Sequence, residues 1–154
     1  MQKYIGTKII EAEPALRVTG KDFTKRIQRV DQPMCIDDTY ERGYKVIYPD
    51  GYESWTPKDV FEEAYRPCGA MNFGLALEAA KKGKRISRRG WNGKGQYVEL
   101  ATGIAYKNSA GEIVNVDHAA IGNAALAFVG TSGVQLGWLA SQADMLADDW
   151  YIVE

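Results

Sequence analysis

The stretch YKVIYPDGYESW, residues 44–55, carries the clearest fold signal in the chain. Apolar and polar side chains alternate on both sides of Pro49-Asp50-Gly51, as they do in half-buried strands. Proline presets the φ angle of a turn, aspartate caps the turn, and glycine accepts a positive φ. The stretch therefore predicts a β-hairpin. Cross-strand packing is expected for its large aromatic residues, Tyr44, Tyr48, Tyr52 and Trp55.

A helix is predicted directly after this hairpin. Thr56-Pro57-Lys58-Asp59 combines an N-cap threonine, a proline at the first helical position and an acidic residue at N3. The helix is predicted over residues 57–65, and Pro67 ends it. Its core-facing side chains are expected to be Val60, Phe61 and Ala64.

Upstream of the hairpin the signal is weaker. Residues 8–18 predict a strand in which Pro14 marks an edge or a bulge. Residues 19–42 mix charges without clear periodicity and predict a loop with at most one short helix.

A second part of the chain begins after Arg66-Pro67-Cys68-Gly69. Asn72 predicts the N-cap of a helix over residues 73–82, and Gly83 predicts its end. SQAD, residues 141–144, resembles a capping box and predicts a short helix that ends near Asp149. Strands are predicted around Ile86 and over residues 96–100, 124–129, 134–138 and 150–153, with a hairpin turn at residues 108–111. The predicted fold class is α+β: an antiparallel β-sheet with a few short helices, plus a small N-terminal module made of a hairpin and a helix.

Composition narrows the functional classes. The 154 residues are 45% hydrophobic and 25% charged, with a formal net charge of −1, which is ordinary globular composition. A protein that binds duplex nucleic acid would usually carry a basic excess. No apolar stretch is long enough to span a bilayer, so a cytoplasmic location is expected. Cys35 and Cys68 are expected to be reduced, and with a single histidine, His118, no metal-ligand spacing is visible.

KRISRRGWNGKG, residues 84–95, is the first candidate for ligand binding. Its cations crowd together without an intervening acid, and its glycines allow the backbone to approach a ligand. An indole ring can stack on a base, and an asparagine can recognise a base edge. The alternative is a tryptophan that anchors the core beside a solvated basic face. Candidate ligand-binding residues in this loop are Arg88, Arg89, Trp91, Asn92 and Lys94.

GWLASQAD, residues 137–144, is the second candidate. A helix N-terminus carries unpaired N–H groups that can hold a phosphate, which makes Trp138, Ser141 and Asp144 candidates. The alternative is a capped helix whose apolar residues, among them Met145 and Leu146, pack in the core. Trp150 is expected to pack in the interior.

Catalytic signals are weak. No nucleophile elbow, metal-ligand spacing or histidine motif is present. Asp144 and Asp148 would share a helical face and could form an acid/base pair or bind a cation, although a solvated helix face is favoured. We therefore expect a protein that is not an enzyme and needs no cofactor.

Three segments carry a resemblance to a known family: MNFGLAL at 71–77, GKRISRRGWNGKG at 83–95 and GWLASQADMLADDW at 137–150. Over residues 70–154 the chain resembles the phage Thoeris anti-defence 2 family, while residues 102–133 match its pattern only loosely. The resemblance implies a sponge domain that binds the cyclic ADP-ribose isomer made by bacterial Toll/interleukin-receptor-domain enzymes. It also implies a homo-oligomer, typically a tetramer, with ligand sites between subunits, and in some members a separate pocket for cyclic di- or trinucleotides. Residues 1–67 would be a small phage-associated module.

Side-chain chemistry assigns roles within these segments. Trp91 is expected to stack on a base. Pyrophosphate contacts are expected from Arg88, Arg89 and Lys94. Asn92 and either Ser141 or Asp144 would take base edges and ribose hydroxyls. Alternatives to the sponge are a virion-associated interaction module, a hydrolase of the signal and, less favoured, a single-stranded nucleic-acid binder.

Overall fold

A computed structural model describes residues 1–3, 7–115 and 124–154. The chain divides into two compact units, Met1–Arg66 and Pro67–Glu154, which are called unit 1 and unit 2 below. Both contain antiparallel sheets and short helices, so the predicted α+β class is confirmed. Within the described ranges, no helix is both long and apolar enough to cross a membrane.

Unit 1 is a four-stranded antiparallel sheet followed by one helix. Its strand order is β2-β1-β3-β4. The elements are β1 (Glu11–Thr19), β2 (Lys25–Arg29), β3 (Thr39–Ile47), β4 (Glu53–Pro57) and α1 (Lys58–Ala64).

The predicted hairpin is confirmed between β3 and β4. Ile47 lies opposite Glu53, and Gly51 adopts a φ of 83° in the turn. The rings of Tyr48 and Tyr52 lie 5.8 Å apart, as expected of a cross-strand pair. The other two aromatic residues behave differently. Tyr44 stacks on Phe61 of α1, and Trp55 lies opposite Lys45.

The loop predicted over residues 19–42 was wrong. It contains β2 and the first residues of β3, and no helix is found in it within the described part. Gln28 is the one buried residue of β2. The strand therefore lacks an alternating pattern and is held by its pairing with β1. This pairing starts at Ala15, so Pro14 lies beside the uncovered part of β1, as its missing N–H requires.

The start of α1 also differs from the prediction. Thr56 belongs to β4, and Pro57 is the N-cap, without a side-chain cap bond to any described residue. Val60 and Ala64 are exposed and Phe61 is half-buried, so the predicted core face was wrong for two of its three residues. A helix of two turns covers the sheet mainly through one ring.

Unit 2 is built on a five-stranded sheet with a separate two-stranded hairpin. The sheet order is β10-β9-β6-β5-β11, and β7 pairs with β8. The elements are α2 (Phe73–Lys81), β5 (Arg85–Arg88), β6 (Tyr97–Thr102), β7 (Ala105–Lys107), β8 (Ile113–Asn115), β9 (Ala124–Gly130), β10 (Gly133–Leu136), α3 (Gln142–Met145) and β11 (Trp150–Val153).

The structure confirms the predicted helix start at Asn72, the helix end at Gly83 and the capping box at residues 141–144. The Asn72 side chain accepts a hydrogen bond from Leu75 N at 2.9 Å, and Gly83 adopts a φ of 80° after α2. Ser141 and Asp144 form the predicted capping box. Two predicted ends were wrong: α3 stops at Met145 rather than near Asp149, and β10 stops at Leu136, before Trp138.

The core of unit 2 lies between α2 and the sheet. Small residues of α2 allow close approach to the strands, and Trp150 is fully buried, as predicted. The buried cluster comprises Met71, Ala76, Ala79, Ala80, Ile86, Val98 and Trp150. By contrast, Met145 and Leu146 are exposed, so the alternative interpretation, in which both pack in the core, was wrong for these two residues.

Candidate functional site

The two candidate segments of unit 2 meet at a hydrogen-bonded ion network. Arg88, at the end of β5, donates from Nη1 to Asp144 Oδ1 and from Nε to Asp149 Oδ1, each at 2.8 Å. The side chains of Arg88 and Asp144 are only 16% and 12% exposed. The network, defined as Arg88, Trp91, Ser141, Asp144 and Asp149, therefore joins residues more than 50 positions apart, and its Arg88–Asp144 pair is largely shielded from water.

Asp144 is the acceptor at the centre of the network. Its Oδ1 accepts from Arg88 and from Trp91 Nε1 at 3.0 Å. Its Oδ2 accepts from the backbone N–H and the hydroxyl of Ser141, at 3.0 and 2.7 Å. Burial alone would raise the pKa of Asp144, but the hydrogen bonds from Ser141, Arg88 and Trp91 outweigh it and lower that pKa to about 2. The carboxylate is thus ionised at neutral pH and saturated with donors.

Asp149 fixes the start of the glycine-rich loop. Its Oδ2 accepts from Gly90 N at 2.8 Å, and a Cβ at Gly90 would lie only 3.0 Å from the same oxygen. The hydrogen bond from Arg88 is the main cause that lowers the pKa of Asp149, and the same bond is the main cause that raises the pKa of Arg88. Glycine at position 90 therefore allows the backbone to approach a charged partner closely.

Trp91 is an anchor of the core as well as a member of the network. Its ring makes edge-to-face contacts with Phe128, Trp138 and Trp150, at centroid distances of 5.3, 5.9 and 5.4 Å. The indole remains half-buried. Its ring edge and its N–H are engaged, so a ligand would have to use the exposed part of the ring.

The remaining loop candidates lie on the surface. Arg89 donates to Gly69 O at 3.3–3.4 Å and lies 5.1 Å from the Tyr151 ring. Asn92 and Lys94 are exposed and make no hydrogen bond or ion pair with the residues that the structure describes. These three side chains have polar groups open to solvent beside a fixed backbone.

The structure thus divides the eight predicted site residues into two groups. One group lies together in or against the network: Arg88, Trp91, Trp138, Ser141 and Asp144. The other is exposed on the adjacent loop: Arg89, Asn92 and Lys94. Sequence reasoning did not single out Asp149 and Phe128. Gly90 was the available signal that a group approaches the backbone closely here, but the sequence did not identify that group as Asp149.

The predicted pairing of Asp144 with Asp148 was wrong. Because α3 ends at Met145, the two carboxylates do not share a helical face, and Asp148 is exposed. Asp144 is buried instead of solvated, since Arg88 compensates its charge. A carboxylate with a pKa of about 2 is a poor proton acceptor near neutral pH. Within the described residues no cluster of three or more metal-ligating side chains occurs, and His118 lies outside them.

Comparison with known proteins identifies relatives of unit 2. A family model described as a Thoeris anti-defense 2-like domain matches residues 71–153. Thoeris anti-defense 2 of Bacillus phage SP01 is 38% identical over 88 residues, which cover 54% of this chain and 94% of the relative. The match contains the whole network and the loop beside it. The chain therefore belongs to the Thoeris anti-defense 2-like family.

Proposed function

We propose that this protein serves phage anti-defence by binding and sequestering a cyclic ADP-ribose isomer, without cleaving it, in the cytoplasm of the infected host. Family membership supports the anti-defence role. The observation that supports binding is the fixation of the cationic loop, whose residues 88, 90 and 91 are all hydrogen-bonded to Asp144 or Asp149. The backbone that carries Arg89 and leads to Asn92 and Lys94 then has little freedom to lose on binding.

Pre-organisation matters because a sequestering protein needs high affinity without turnover. Nanomolar binding corresponds to about −12 kcal/mol. Ordering a flexible loop backbone on binding would oppose this, at roughly 1–2 kcal/mol for each residue. Hydrogen bonds to Asp144 and Asp149 order this part of the backbone in the folded protein before the ligand binds. The network then acts on affinity through the loop that it positions.

The geometry gives each candidate a proposed role. Arg89 and Lys94 would contact the pyrophosphate, since both residues are exposed and neither forms an ion pair with a described residue. Asn92 would bind a base edge, and the exposed part of the Trp91 ring, with Trp138 beside it, would contact the base. Arg88, Ser141 and Asp144 would be positioning residues, because their polar groups are engaged with each other.

A second protomer would complete the site. β10 is one of the two edge strands of the described sheet, and apolar side chains in it and on either side of α3 are exposed: Val134, Leu136, Leu139 and Leu146. Exposed apolar groups beside an unpaired strand edge favour self-association. We propose a homo-oligomer, with four copies as the expected size, in which this surface brings a second chain close to the loop. Cyclic di- or trinucleotides would be further ligands.

The deciding experiment separates sequestration from cleavage. Purified protein in excess is mixed with the cyclic ADP-ribose isomer, filtered, and then heated to denature it. Mass spectrometry should find the ligand depleted from the first filtrate and recovered with unchanged mass after heating. In a parallel mixture with the ligand in several-fold excess over the protein, accumulation of linear ADP-ribose beyond one equivalent of protein would indicate a hydrolase instead. An undepleted filtrate would contradict binding.

Native mass spectrometry of the same mixture tests the assembly. We expect four chains per complex and ligand bound in fixed stoichiometry. Addition of cyclic di- and trinucleotides shows whether they occupy sites of their own. Ligand on isolated single chains would contradict a site completed by a second protomer.

A further inference from the structure

A groove in unit 1 lies outside the family domain and is separate from the proposed function. It has a volume of about 410 Å³, within the range of small-molecule sites. β1 and β3 form its floor, α1 forms one wall, and the connection between β2 and β3 forms the other. Its apolar lining comes from Pro14, Leu16, Val30, Met34 and Tyr44.

Part of the apolar lining of this groove is exposed to solvent. Val30 is 55% exposed and Met34 is 62% exposed, although both face the groove beside the fully packed Leu16. Strand register puts Arg42 directly opposite Leu16 and Tyr44 opposite Pro14. Side chains of directly opposed residues project from the same face of a sheet. The apolar floor and the guanidinium therefore belong to one surface.

The charges along the groove leave one cation uncompensated. Tyr44 Oη donates to Glu62 Oε1 at 2.9 Å, and Lys58 Nζ lies 4.0 Å from the same oxygen. Glu62 is thus matched by Lys58. Arg42 also lines the groove, is exposed and forms no ion pair with any described residue. The lining carries a net positive charge from Arg42.

We infer that this groove binds a small amphiphilic anion, a molecule with a flat apolar body and one carboxylate, sulfonate or phosphate group. The body would lie on Leu16, Val30 and Met34. The anionic group would accept hydrogen bonds from Arg42, whose planar guanidinium suits such groups.

An extended peptide suits the groove less well. Peptides that add to a sheet need free backbone groups on an edge strand. Here most of the floor is paired on both sides: Ala15 to Thr19 pair with both β2 and β3, and Gly43 pairs with both β1 and β4. Pro14, at the uncovered part of β1, has no backbone N–H to donate. Recognition must therefore come from side chains, which favours a compact ligand.

Two matched probes test this inference on the intact chain. 8-Anilinonaphthalene-1-sulfonate carries an aromatic body and an anion, whereas N-phenyl-1-naphthylamine carries the same body without the charge. Fluorescence titration should give saturable binding of both, with the anionic probe bound about tenfold more tightly. Arg42→Gln should remove this preference. Arg29→Gln is the matched control, because Arg29 is exposed in the same sheet but lies opposite Ala15 on the other face.

Met34→Gln separates the apolar contact from the charge. Met34 is mostly exposed, so the variant should fold, and it should weaken both probes by the same factor, several-fold. Circular dichroism checks the fold of each variant. The inference is overturned if the wild-type chain binds both probes equally, if Arg42→Gln and Arg29→Gln have equal effects, or if Met34→Gln changes neither affinity.

Discussion

Unit 1 and unit 2 are both small α+β structures, yet they are stabilised in different ways. The buried residues of unit 1 are small or medium-sized, among them Ala15, Leu16, Val18 and Val46, and its Arg17–Glu41 pair is substantially exposed. Unit 2 buries Trp150 completely and places an ion pair beside it with little exposure. Close packing of β3 against β4 at Gly43 distinguishes one unit, and a polar network joined to an aromatic core distinguishes the other. The network lies in the unit that the family shares.

The largest effect is expected from Asp144→Ala. The change leaves the Arg88 guanidinium short of one partner and removes the acceptors of Trp91 Nε1 and Ser141. Removing one member of a buried ion pair costs about 4 kcal/mol. Hydrogen exchange of the β5 and β11 amides should report this loss. Asp148→Ala, an exposed control four residues away, should cost less than about 0.5 kcal/mol. Equal effects of the two variants would mean that the network does not stabilise unit 2.

Gly43→Ala is the corresponding test in unit 1. A Cβ at this position would lie 2.2 Å from Thr56 O and 2.5 Å from the Trp55 ring, so a strand must shift. Overpacking of this severity costs about 3 kcal/mol. Urea unfolding, monitored through the fluorescence of Trp55, measures the change in the free energy of unfolding.

Gly74→Ala is the matched control for that variant. Its added Cβ would meet only Asn72 Oδ1, at 3.5 Å, near the start of α2. A small stabilisation is expected, because alanine favours a helix over glycine by up to about 1 kcal/mol. A Gly43→Ala protein as stable as wild type would contradict the close packing of β3 against β4.

Acid should weaken unit 2 through Asp144. Its pKa is about 2 in the folded protein and 3.8 without these contacts, so the ionised form favours folding. This contribution, about 2 kcal/mol, is complete above roughly pH 4 and is lost as the pH falls towards 2. Unfolding free energies of unit 2 measured across this range should show the decline. A pH-independent stability of unit 2 between pH 4 and 2 would contradict the assignment.

Ser141→Ala should have the smallest effect. It removes one hydrogen bond to Asp144 and the N-cap of α3, but it leaves the Arg88 ion pairs in place. Loss of such a cap costs about 1 kcal/mol. Thermal unfolding should show a modest decrease, and Ser141→Thr, which keeps the hydroxyl, should retain most of the stability. If threonine fails to rescue, the cap is not the cause.

Local chemistry explains which features could be predicted from the sequence. Gly51, Asn72, Gly83 and the Ser141–Asp144 box act through their immediate neighbours, so short motifs were sufficient. β2 was missed because its stability comes from pairing with β1, a partner that its own residues do not specify. Tertiary contacts also decided the helix faces: Val60 and Met145 fit a helical pattern but lie on the exposed side.

The candidate site was predicted in its segments but not in its contacts. The sequence indicated that residues 84–95 and 137–144 matter, and the family match covers both. It could not indicate that Arg88 binds Asp144 and Asp149, because a separation of 56 and 61 residues carries no pairing signal. Within its basic segment Arg88 has no acidic neighbour in the sequence, and its partners are visible only in the folded structure. Because Arg88 is engaged by these carboxylates, we propose Arg89, Asn92 and Lys94 as the polar ligand contacts of the loop.

The most direct test of the central claim is calorimetric titration of the intact protein with the cyclic ADP-ribose isomer. The double variant Arg89→Ala/Lys94→Ala removes the two exposed loop cations, and Arg29→Ala/Lys45→Ala removes two exposed or half-exposed cations of unit 1. The loop variant should raise the dissociation constant at least a hundredfold, and the control should bind like wild type. Equal affinity of both variants, or no measurable binding by wild type, would contradict the central claim.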